Sequence, residues 1–237
     1  MVLKAVDYDL KNTIFSFIPN TAETAFYGLV KGAQDYLDGI KLERILRWGN
    51  DIDATKLSEM INRKVRIEKI AIKDVKLRTF ITEDNSRNEM VQHVYDITYG
   101  TVRKQTDTLV VIDDSIVRGT TLKESIIRML NRLQPKRIII ISSAPQIRYP
   151  DCYGSDMAKM GDLAAFRAAI ALLKETKQEN IIDDVYDRAL AMVGRPFTEQ
   201  ENVVKDIYRP FTAEHISDKI AELLTPADIN ADVKLVY

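Results

Sequence analysis

Residues 108–142 read TLVVIDDSIVRGTTLKESIIRMLNRLQPKRIIIIS, and their pattern gives the main indication of the fold class. The four apolar residues at 109–112 are typical of a parallel strand that is covered on both faces. An amphipathic segment over 122–133 predicts a helix, and the apolar run at 137–142 predicts a second buried strand. Strand, loop, helix and strand in this order make a βαβ unit. We therefore predict an α/β protein with a mostly parallel central sheet flanked by helices.

The sequence on both sides extends this unit. Residues 13–18 predict another buried strand, after which Thr21 is expected to cap a helix over 22–36. A helical insertion is expected at about 38–64, and a further strand is predicted directly after it at 65–72. A long polar, flexible loop is predicted at about 76–107. The carboxy-terminal region over about 162–237 is predicted to be helical, with helices near 162–174, 180–193 and 213–224. An edge strand is predicted at 229–236.

Composition limits the classes of function. The 237 residues include 34 Lys and Arg against 35 Asp and Glu, a net charge of −1, so no nucleic-acid partner is expected. One cysteine, Cys152, and two distant histidines, His93 and His215, argue against a zinc site. No run approaches the roughly 20 apolar residues of a membrane span. No membrane partner is therefore expected, and the expected compartment is the cytoplasm.

The loop between the two strands of the βαβ unit carries the candidate chemistry. Asp113 and Asp114 follow the carboxyl end of a strand, which is where open α/β sheets bind ligands. Ser115 and the run Gly119–Thr121 are small residues before a helix, where free N–H groups and hydroxyls can bind a phosphate. Acids at one end and a phosphate site at the other suit a ribose 5-phosphate, with its 2′- and 3′-hydroxyls on the acids.

An Asp-Asp pair alone leaves other interpretations open. It can end a strand, with one carboxylate capping the next turn, and it also occurs in phosphoacceptor receiver domains and metal-dependent phosphatases. The complete string at 110–121, VVIDDSIVRGTT, is more specific. It resembles the phosphoribosyl-pyrophosphate (PRPP) loop of type I phosphoribosyltransferases, and in particular that of the amidophosphoribosyltransferase family.

Three more stretches are similar to the same family. Residues 142–157, SSAPQIRYPDCYGSDM, resemble its segment after the next strand. IPNT at 18–21 resembles its pyrophosphate loop, and RTFI at 78–81 matches the start of its flexible catalytic loop. The resemblance covers most of 13–175. It implies the type I phosphoribosyltransferase fold and a single phosphoribosyltransferase domain over 1–237, without the family's N-terminal glutaminase domain.

The resemblance also implies roles for individual residues. Asp113 and Asp114 would hold the ribose hydroxyls and help to bind Mg²⁺, with Thr21 near the metal. Arg78 would reach the pyrophosphate when the flexible loop closes, which makes Arg78 and the two aspartates the implied catalytic residues. The implied reaction is displacement of pyrophosphate from PRPP by ammonia to give 5-phosphoribosylamine, the entry step of purine biosynthesis. The implied 5-phosphate cradle consists of Ser115, Arg118, Gly119, Thr120 and Thr121.

Two departures from the family bear on function. Cys152 lies mid-chain and cannot be the N-terminal nucleophile of the family's glutaminase, so ammonia is expected from a missing or separate glutaminase. In the flexible loop, Leu77 replaces the family's glycine and acids stand at Glu83 and Asp84. The candidate sources of charge for this loop are Lys73, Lys76, Arg87 and Arg103.

These departures keep alternative functions open. One is a non-catalytic regulatory module that binds PRPP or purine nucleotides, and another is a phosphoribosyltransferase that acts on a free base. The resemblance further implies that purine nucleotides act as inhibitors and that the protein is a homo-oligomer.

Overall fold

A computed structural model describes residues 1–19, 21–49, 53–73, 95–151 and 157–237, and its centre is a five-stranded sheet. The strands of this sheet are β1 (Thr13–Phe17), β2 (Arg66–Ile67), β5 (Thr108–Asp113), β6 (Arg137–Ser142) and β7 (Asp232–Val236), and a separate antiparallel pair is formed by β3 (Ala71–Lys73) and β4 (Tyr95–Ile97). The five strands lie in the order β2-β1-β5-β6-β7, and every neighbouring pair is parallel.

The interiors of β5 and β6 are continuously apolar because both of their faces are covered. Leu109 and Val111 of β5 belong to one hydrophobic core, whereas Val110 and Ile112 point to the opposite face and belong to another. The isoleucines of β6 divide in the same way between the two cores. A strand buried on both faces has no polar alternation, which explains why its apolar run is continuous. The predicted α/β class, with a parallel sheet flanked by helices, is confirmed.

Eight α-helices lie within the described ranges, and none of them is long and apolar enough to cross a membrane. They are α1 (Val2–Ala5), α2 (Glu23–Trp48), α3 (Ala54–Ile61), α4 (Ile127–Asn131), α5 (Ala164–Glu175), α6 (Asn180–Met192), α7 (Lys205–Tyr208) and α8 (Ala213–Leu224). The three long carboxy-terminal helices α5, α6 and α8 and the edge strand β7 lie close to their predicted positions.

The amino-terminal half differs from the prediction in three places. Helix α2 continues to Trp48, so the first part of the expected insertion at about 38–64 extends this helix, and α3 follows it. Thr21 does not cap α2, because Ala22 is the N-cap residue and makes no side-chain capping bond. The strand predicted at 65–72 is split between β2 in the main sheet and β3 in the small one.

The long loop predicted at about 76–107 is only partly covered by the structure. Its portion up to residue 94 lies outside the described residues. Tyr95–Ile97 forms β4, whose residue Ile97 pairs with Ala71. Residues 98–106 then connect β4 to Asp107 and β5, so the end of this segment is anchored to the sheet.

Asp107 forms a buried ion-pair cluster at the amino end of β5. Its side chain is fully buried, and the Arg66 guanidinium binds both carboxylate oxygens at 2.7 and 2.9 Å. The Arg103 side chain donates to Oδ1 at 2.6 Å, and its backbone N–H donates to Oδ2 at 2.8 Å. Burial alone raises the pKa of Asp107, but the hydrogen bonds from Arg66 and Arg103 outweigh burial and hold that pKa below the ordinary aspartate value.

Candidate functional site

The candidate site lies at the carboxyl edge of the sheet, where three neighbouring strands end together. Phe17 of β1 pairs with Ile112 of β5, and Asp113 pairs with Ser142 of β6. The backbone N–H of Ile18 donates to the carbonyl oxygen of Ile112 at 2.9 Å. Because the strands are parallel, the loops that follow them meet at the same edge, as expected for a ligand site in an open α/β sheet.

Asp113 and Asp114 stand at the centre of this edge and are both partly buried. The Oδ1 atom of Asp113 accepts the backbone N–H of Asp114 at 2.9 Å. The Oδ1 atom of Asp114 accepts the backbone N–H of Ser115 at 2.6 Å and lies 3.5 Å from its hydroxyl. One oxygen of each carboxylate is thus used to fix the turn. A carboxylate oxygen can accept more than one hydrogen bond, so these two bonds do not by themselves exclude a contact with a ligand.

The loop after β6 fixes the backbone of the two aspartates. The N–H of Ser143 donates to the carbonyl of Asp113 at 2.9 Å, and the N–H of Ala144 donates to the carbonyl of Asp114 at 3.0 Å. The Ser143 hydroxyl donates to the same Asp114 carbonyl at 3.0 Å. Because these bonds hold the backbone, the carboxylates are positioned by the scaffold before any ligand binds.

Helix α5 supports the next part of the loop. The N–H of Ala164 donates to the carbonyl of Val117 at 2.8 Å, and the Arg167 guanidinium donates to the carbonyl of Arg118 at 2.6 Å. The Arg118 side chain lies 3.3 Å from the Asp162 carboxylate. The charge of the Arg118 guanidinium is therefore partly neutralised by a neighbouring carboxylate, and this contact weakens the attraction of Arg118 for a phosphate.

Gly119 makes the turn that ends the loop. Its φ of +75° is a left-handed conformation that favours glycine. A β-carbon added at this position would lie 2.5 Å from Cδ1 of Leu224, a buried residue at the end of α8. A side chain at 119 is therefore opposed by both the backbone conformation and the packing against α8.

Replacing Gly119 with alanine is expected to lower the free energy of unfolding by about 2 kcal/mol. The left-handed conformation alone costs a residue with a β-carbon roughly 1–2 kcal/mol, and displacement of the buried Leu224 side chain adds to this. Urea unfolding followed by circular dichroism measures the change. Gly161→Ala is the matched control, because an added β-carbon there meets nothing within 4 Å. Equal stability of the two variants would contradict the assigned turn.

A widened helical turn follows Gly119. The segment Leu122–Ile126 is π-helical and continues as α4, and π-turns are frequent at functional sites. Thr121 is its N-cap residue and makes no side-chain capping bond. Within the described part of the chain, no partner is bonded to the hydroxyl of the exposed Thr120. The Thr120 and Thr121 hydroxyls are thus available as donors to an oxyanion.

The remaining predicted site residues divide into described and undescribed ones. Thr21 is described and exposed, and it lies four residues after β1 ends at Phe17. Arg103, a candidate source of charge for the flexible loop, is instead bound to Asp107 at the opposite edge of the sheet, and this prediction is wrong. Arg78, together with Lys76, Leu77, Glu83, Asp84, Arg87, His93 and Cys152, lies outside the described residues.

A cluster around Arg148 was not predicted from the sequence. The Arg148 guanidinium donates to the Gln146 side chain at 2.7 Å and lies 5.1 Å from the centre of the Tyr208 ring. Gln146 in turn donates to the Ser217 hydroxyl at 2.9 Å, and the Tyr208 hydroxyl donates to the Arg148 carbonyl at 2.5 Å. Burial raises the pKa of Tyr208 above the ordinary tyrosine value. The cluster anchors the loop after β6 on α7 and α8, and only its tertiary contacts reveal it.

The kind of protein follows from the sheet and from the loop at its carboxyl edge. A parallel α/β sheet presents two aspartates at the carboxyl end of β5, and a glycine turn and two threonines lead into the following helix. This is the arrangement of an α/β protein with a candidate ligand site at the carboxyl edge of its sheet, where the start of the helix favours an anionic group.

Comparison with known proteins shows which proteins this chain is similar to. No family model matches the chain. Over 58 residues, the chain is 47% identical to the amidophosphoribosyltransferases of Pasteurella multocida and Haemophilus influenzae, and over 57 residues it is 46% identical to that of Escherichia coli. Each match covers 24% of this chain and 11% of the relative's length. The chain is therefore similar to amidophosphoribosyltransferases over a segment that is a small part of those enzymes.

The chain is also similar to a solved structure described as the allosteric regulatory enzyme of purine biosynthesis. The match covers 68% of this chain and 28% of the chain in that structure, with 23% sequence identity and a TM-score of 0.42.

Proposed function

We propose that this chain is the phosphoribosyltransferase part of an amidophosphoribosyltransferase, which displaces pyrophosphate from PRPP by ammonia to give 5-phosphoribosylamine in purine biosynthesis. The observation that carries the proposal is the pair Asp113 and Asp114, held at the end of β5 in a loop that closes at Gly119. The identity of 46–47% to three bacterial amidophosphoribosyltransferases supports the same assignment. The single domain over 1–237 and a cytoplasmic location belong to this proposal.

PRPP would lie across the carboxyl edge of the sheet. Its ribose hydroxyls would bind the carboxylates of Asp113 and Asp114. Its 5-phosphate would bind at the helix start, where the hydroxyls of Ser115, Thr120 and Thr121 and backbone N–H groups of the loop would donate to it. Arg118 completes this cradle in the proposal, although it also contacts Asp162.

A magnesium ion fits this donor set. Within the described ranges, no three His, Cys, Asp or Glu side chains come together to hold a metal through protein ligands alone. Mg²⁺ is usually bound by one or two carboxylates, with substrate oxygens and water completing the octahedron. Asp113 and Asp114, with Thr21 nearby, would hold such an ion together with PRPP. When bound, the ion neutralises charge on the leaving pyrophosphate.

The reaction requires positioning more than proton transfer. The lone pair of ammonia forms the new bond to C1 of the ribose, the C1–O bond to pyrophosphate breaks, and its electron pair leaves with the pyrophosphate. The new amine then loses a proton to water. Asp113 and Asp114 orient the ribose and offset the positive character that builds on it, and these contributions can supply much of the acceleration. We assign Arg78 to the departing pyrophosphate and the loop at about 76–107 to the exclusion of water.

Ammonia would come from a glutaminase in another part of the protein or in a separate chain. Purine nucleotides carry the same ribose 5-phosphate as PRPP and are proposed to compete for this site.

The proposed function is tested by release of pyrophosphate from Mg·PRPP, with and without ammonium at alkaline pH, together with calorimetry of PRPP binding. We expect PRPP to bind and pyrophosphate release to depend on ammonium. Binding with no release would favour the non-catalytic regulatory module instead. Absence of PRPP binding would contradict the site itself.

A further inference from the structure

A cleft lies between the loop after β6 and the segment around α7. It has a volume of about 500 Å³, which is within the roughly 300–1,000 Å³ of small-molecule sites. Arg148 and Tyr149 of the loop line it together with residues within 201–211. None of the described residues that line the cleft belongs to the loop at 110–121. The cleft is therefore formed by a different set of residues from the candidate PRPP site.

Three positively charged side chains line this cleft, namely Arg148, Lys205 and Arg209. In the described part of the chain, Arg148 and Lys205 form no ion pair, and Arg209 lies 3.7 Å from the Asp206 carboxylate. Asp206 is itself bound by Arg188 at 2.7 Å, and this contact holds the pKa of Asp206 below the ordinary aspartate value. The acid next to Arg209 is therefore largely neutralised by another arginine.

The spacing of two of these cations is unfavourable by itself. Lys205 begins α7, and Arg209 follows its last residue with a backbone that is still helical. Side chains four positions apart in a helix lie next to each other, and like charges at this spacing destabilise the helix. Because Asp206 is bound by Arg188, Glu201 is the remaining acid among the described lining residues. The cleft thus has an excess of positive charge that an anion would offset.

The Arg148 guanidinium is held in place by its neighbours. The Gln146 side-chain oxygen accepts hydrogen bonds from its Nε and Nη2 atoms at 3.1 and 2.7 Å. Its Cζ atom lies 5.1 Å from the centre of the Tyr208 ring, which is a cation–π contact. Within the described ranges, no hydrogen bond engages its Nη1 atom. A guanidinium that is already ordered loses little conformational freedom when it binds an anion, which favours affinity.

Aromatic side chains line the cleft beside the cations. The rings of Tyr149 and Tyr208 stand edge to face, with their centres 5.7 Å apart. Tyr208 is buried and is fixed by its hydrogen bond to the Arg148 carbonyl. Tyr149 and Phe211 are only partly buried, so their rings offer apolar surface to the cleft. Such surface packs well against a flat aromatic group.

We propose that this cleft binds an aromatic phosphate monoester. A phosphate monoester carries a charge of about −1.5 to −2 at pH 7 and three acceptor oxygens, which suits three cations opposed by one acid. A monocarboxylate would supply one charge and two oxygens, so it suits the cleft less well. The aromatic ring of the ligand would pack against Tyr149 and Phe211. The proposal uses no residue of the loop at 110–121 and is independent of the proposed function.

Binding of phenyl phosphate to the whole chain tests the proposal. Heteronuclear NMR of isotope-labelled protein should show shift changes at residues 146–149 and 201–211. The dissociation constant should be roughly tenfold below that of inorganic phosphate, because the ring adds contacts. Absence of shift changes at the cleft, including changes confined to 110–121, would overturn the proposal. Equal affinities for the two phosphates would overturn the assignment of an aromatic ligand.

The two cations of the segment around α7 allow a test by substitution. Lys205→Ala with Arg209→Ala should raise the dissociation constant of phenyl phosphate roughly 100-fold, because two charge-assisted hydrogen bonds are lost. Arg63→Ala with Lys64→Ala, at two exposed cations shortly after α3, is the matched control and should leave the constant unchanged. The Lys205 and Arg209 variant should bind Mg·PRPP like the unaltered chain, so failure of the proposed function is distinguished from failure of this site. Normal binding of phenyl phosphate by that variant would overturn the proposal.

Tyr149→Ala tests the aromatic surface separately from the charges. It should weaken the binding of phenyl phosphate roughly tenfold and that of inorganic phosphate less than about twofold, because only phenyl phosphate has a ring. Tyr186→Ala, at an exposed tyrosine on α6, is the control for both probes. An equal loss for the two phosphates in the Tyr149 variant would contradict packing of the ligand ring against Tyr149 and overturn the assigned class of ligand.

Discussion

Changing Asp113 and Asp114 together to asparagine is expected to lower the affinity for Mg·PRPP at least 100-fold. The change removes two negative charges from the edge of the sheet where the ribose hydroxyls and the metal are proposed to bind. Hydrogen bonds to charged groups contribute roughly 1.5–3 kcal/mol each, so the loss of two such contacts corresponds to about 3 kcal/mol or more. Isothermal titration calorimetry with Mg·PRPP measures the change.

The fold should tolerate this double change. Asparagine keeps a side-chain oxygen that can accept the N–H groups of Asp114 and Ser115, which the carboxylates accept at present. Asp183→Asn with Asp187→Asn, which removes the same number of charges from the exposed face of α6, is the matched control. Unchanged PRPP affinity in the Asp113 and Asp114 variant, with the control equally unchanged, would refute the proposed ribose and metal site.

Replacing Asp107 with asparagine is expected to lower the free energy of unfolding by about 2–4 kcal/mol at pH 7. Asp107 is fully buried and is the common acceptor for Arg66 and Arg103. Removing one member of a buried ion pair leaves the other charge uncompensated, at a cost of roughly 3–5 kcal/mol. The expected loss is smaller because the side chains of Arg66 and Arg103 are 28% and 49% exposed and can be partly hydrated. Urea unfolding at pH 7 measures the change.

The same variant has a characteristic pH dependence. The pKa of Asp107 is lower in the folded protein than in the unfolded chain, so its contribution to stability is present above the unfolded pKa of about 3.9. That contribution is lost as the pH falls through the folded pKa. The difference in stability between the unaltered chain and Asp107→Asn should therefore be constant near neutrality and shrink at acidic pH. Asp187→Asn, at an exposed position on α6, is the control. A constant difference from pH 7 to pH 2 would contradict the lowered pKa.

The central strands could be predicted from the sequence because they are buried on both faces. A continuous apolar run such as 137–142 has few structural alternatives, and β6 has these same bounds. The second half of α2 was not predicted as part of that helix because none of its side chains beyond Leu37 is buried. Without burial there is no apolar period of 3.6 residues, and Gly39 interrupts the propensity as well.

The candidate site was predictable in its residue types but not in its contacts. The string at 110–121 identified the two aspartates and the glycine turn, and the structure sets them at the edge of the sheet. The partner of Arg118 is Asp162, and this pairing depends on how α5 packs against the loop. The partner of Arg103 could not be predicted for the same reason. Its position in the sequence, near the flexible loop, does not reveal that its side chain turns toward the amino end of β5.

The packing of Leu224 against Gly119 has a consequence for shortened versions of the chain. The stretch at 13–175, which carries the resemblance to the family, contains the loop at 110–121. However, α8 supports the turn at Gly119, and β7 pairs with β6 from Arg137 to Ile141. A recombinant fragment that stops at residue 175 would leave that edge of β6 unpaired and open to aggregation with other copies. A fragment that extends to residue 236 keeps β7. It therefore preserves both the packing of α8 against the loop and the paired edge of β6.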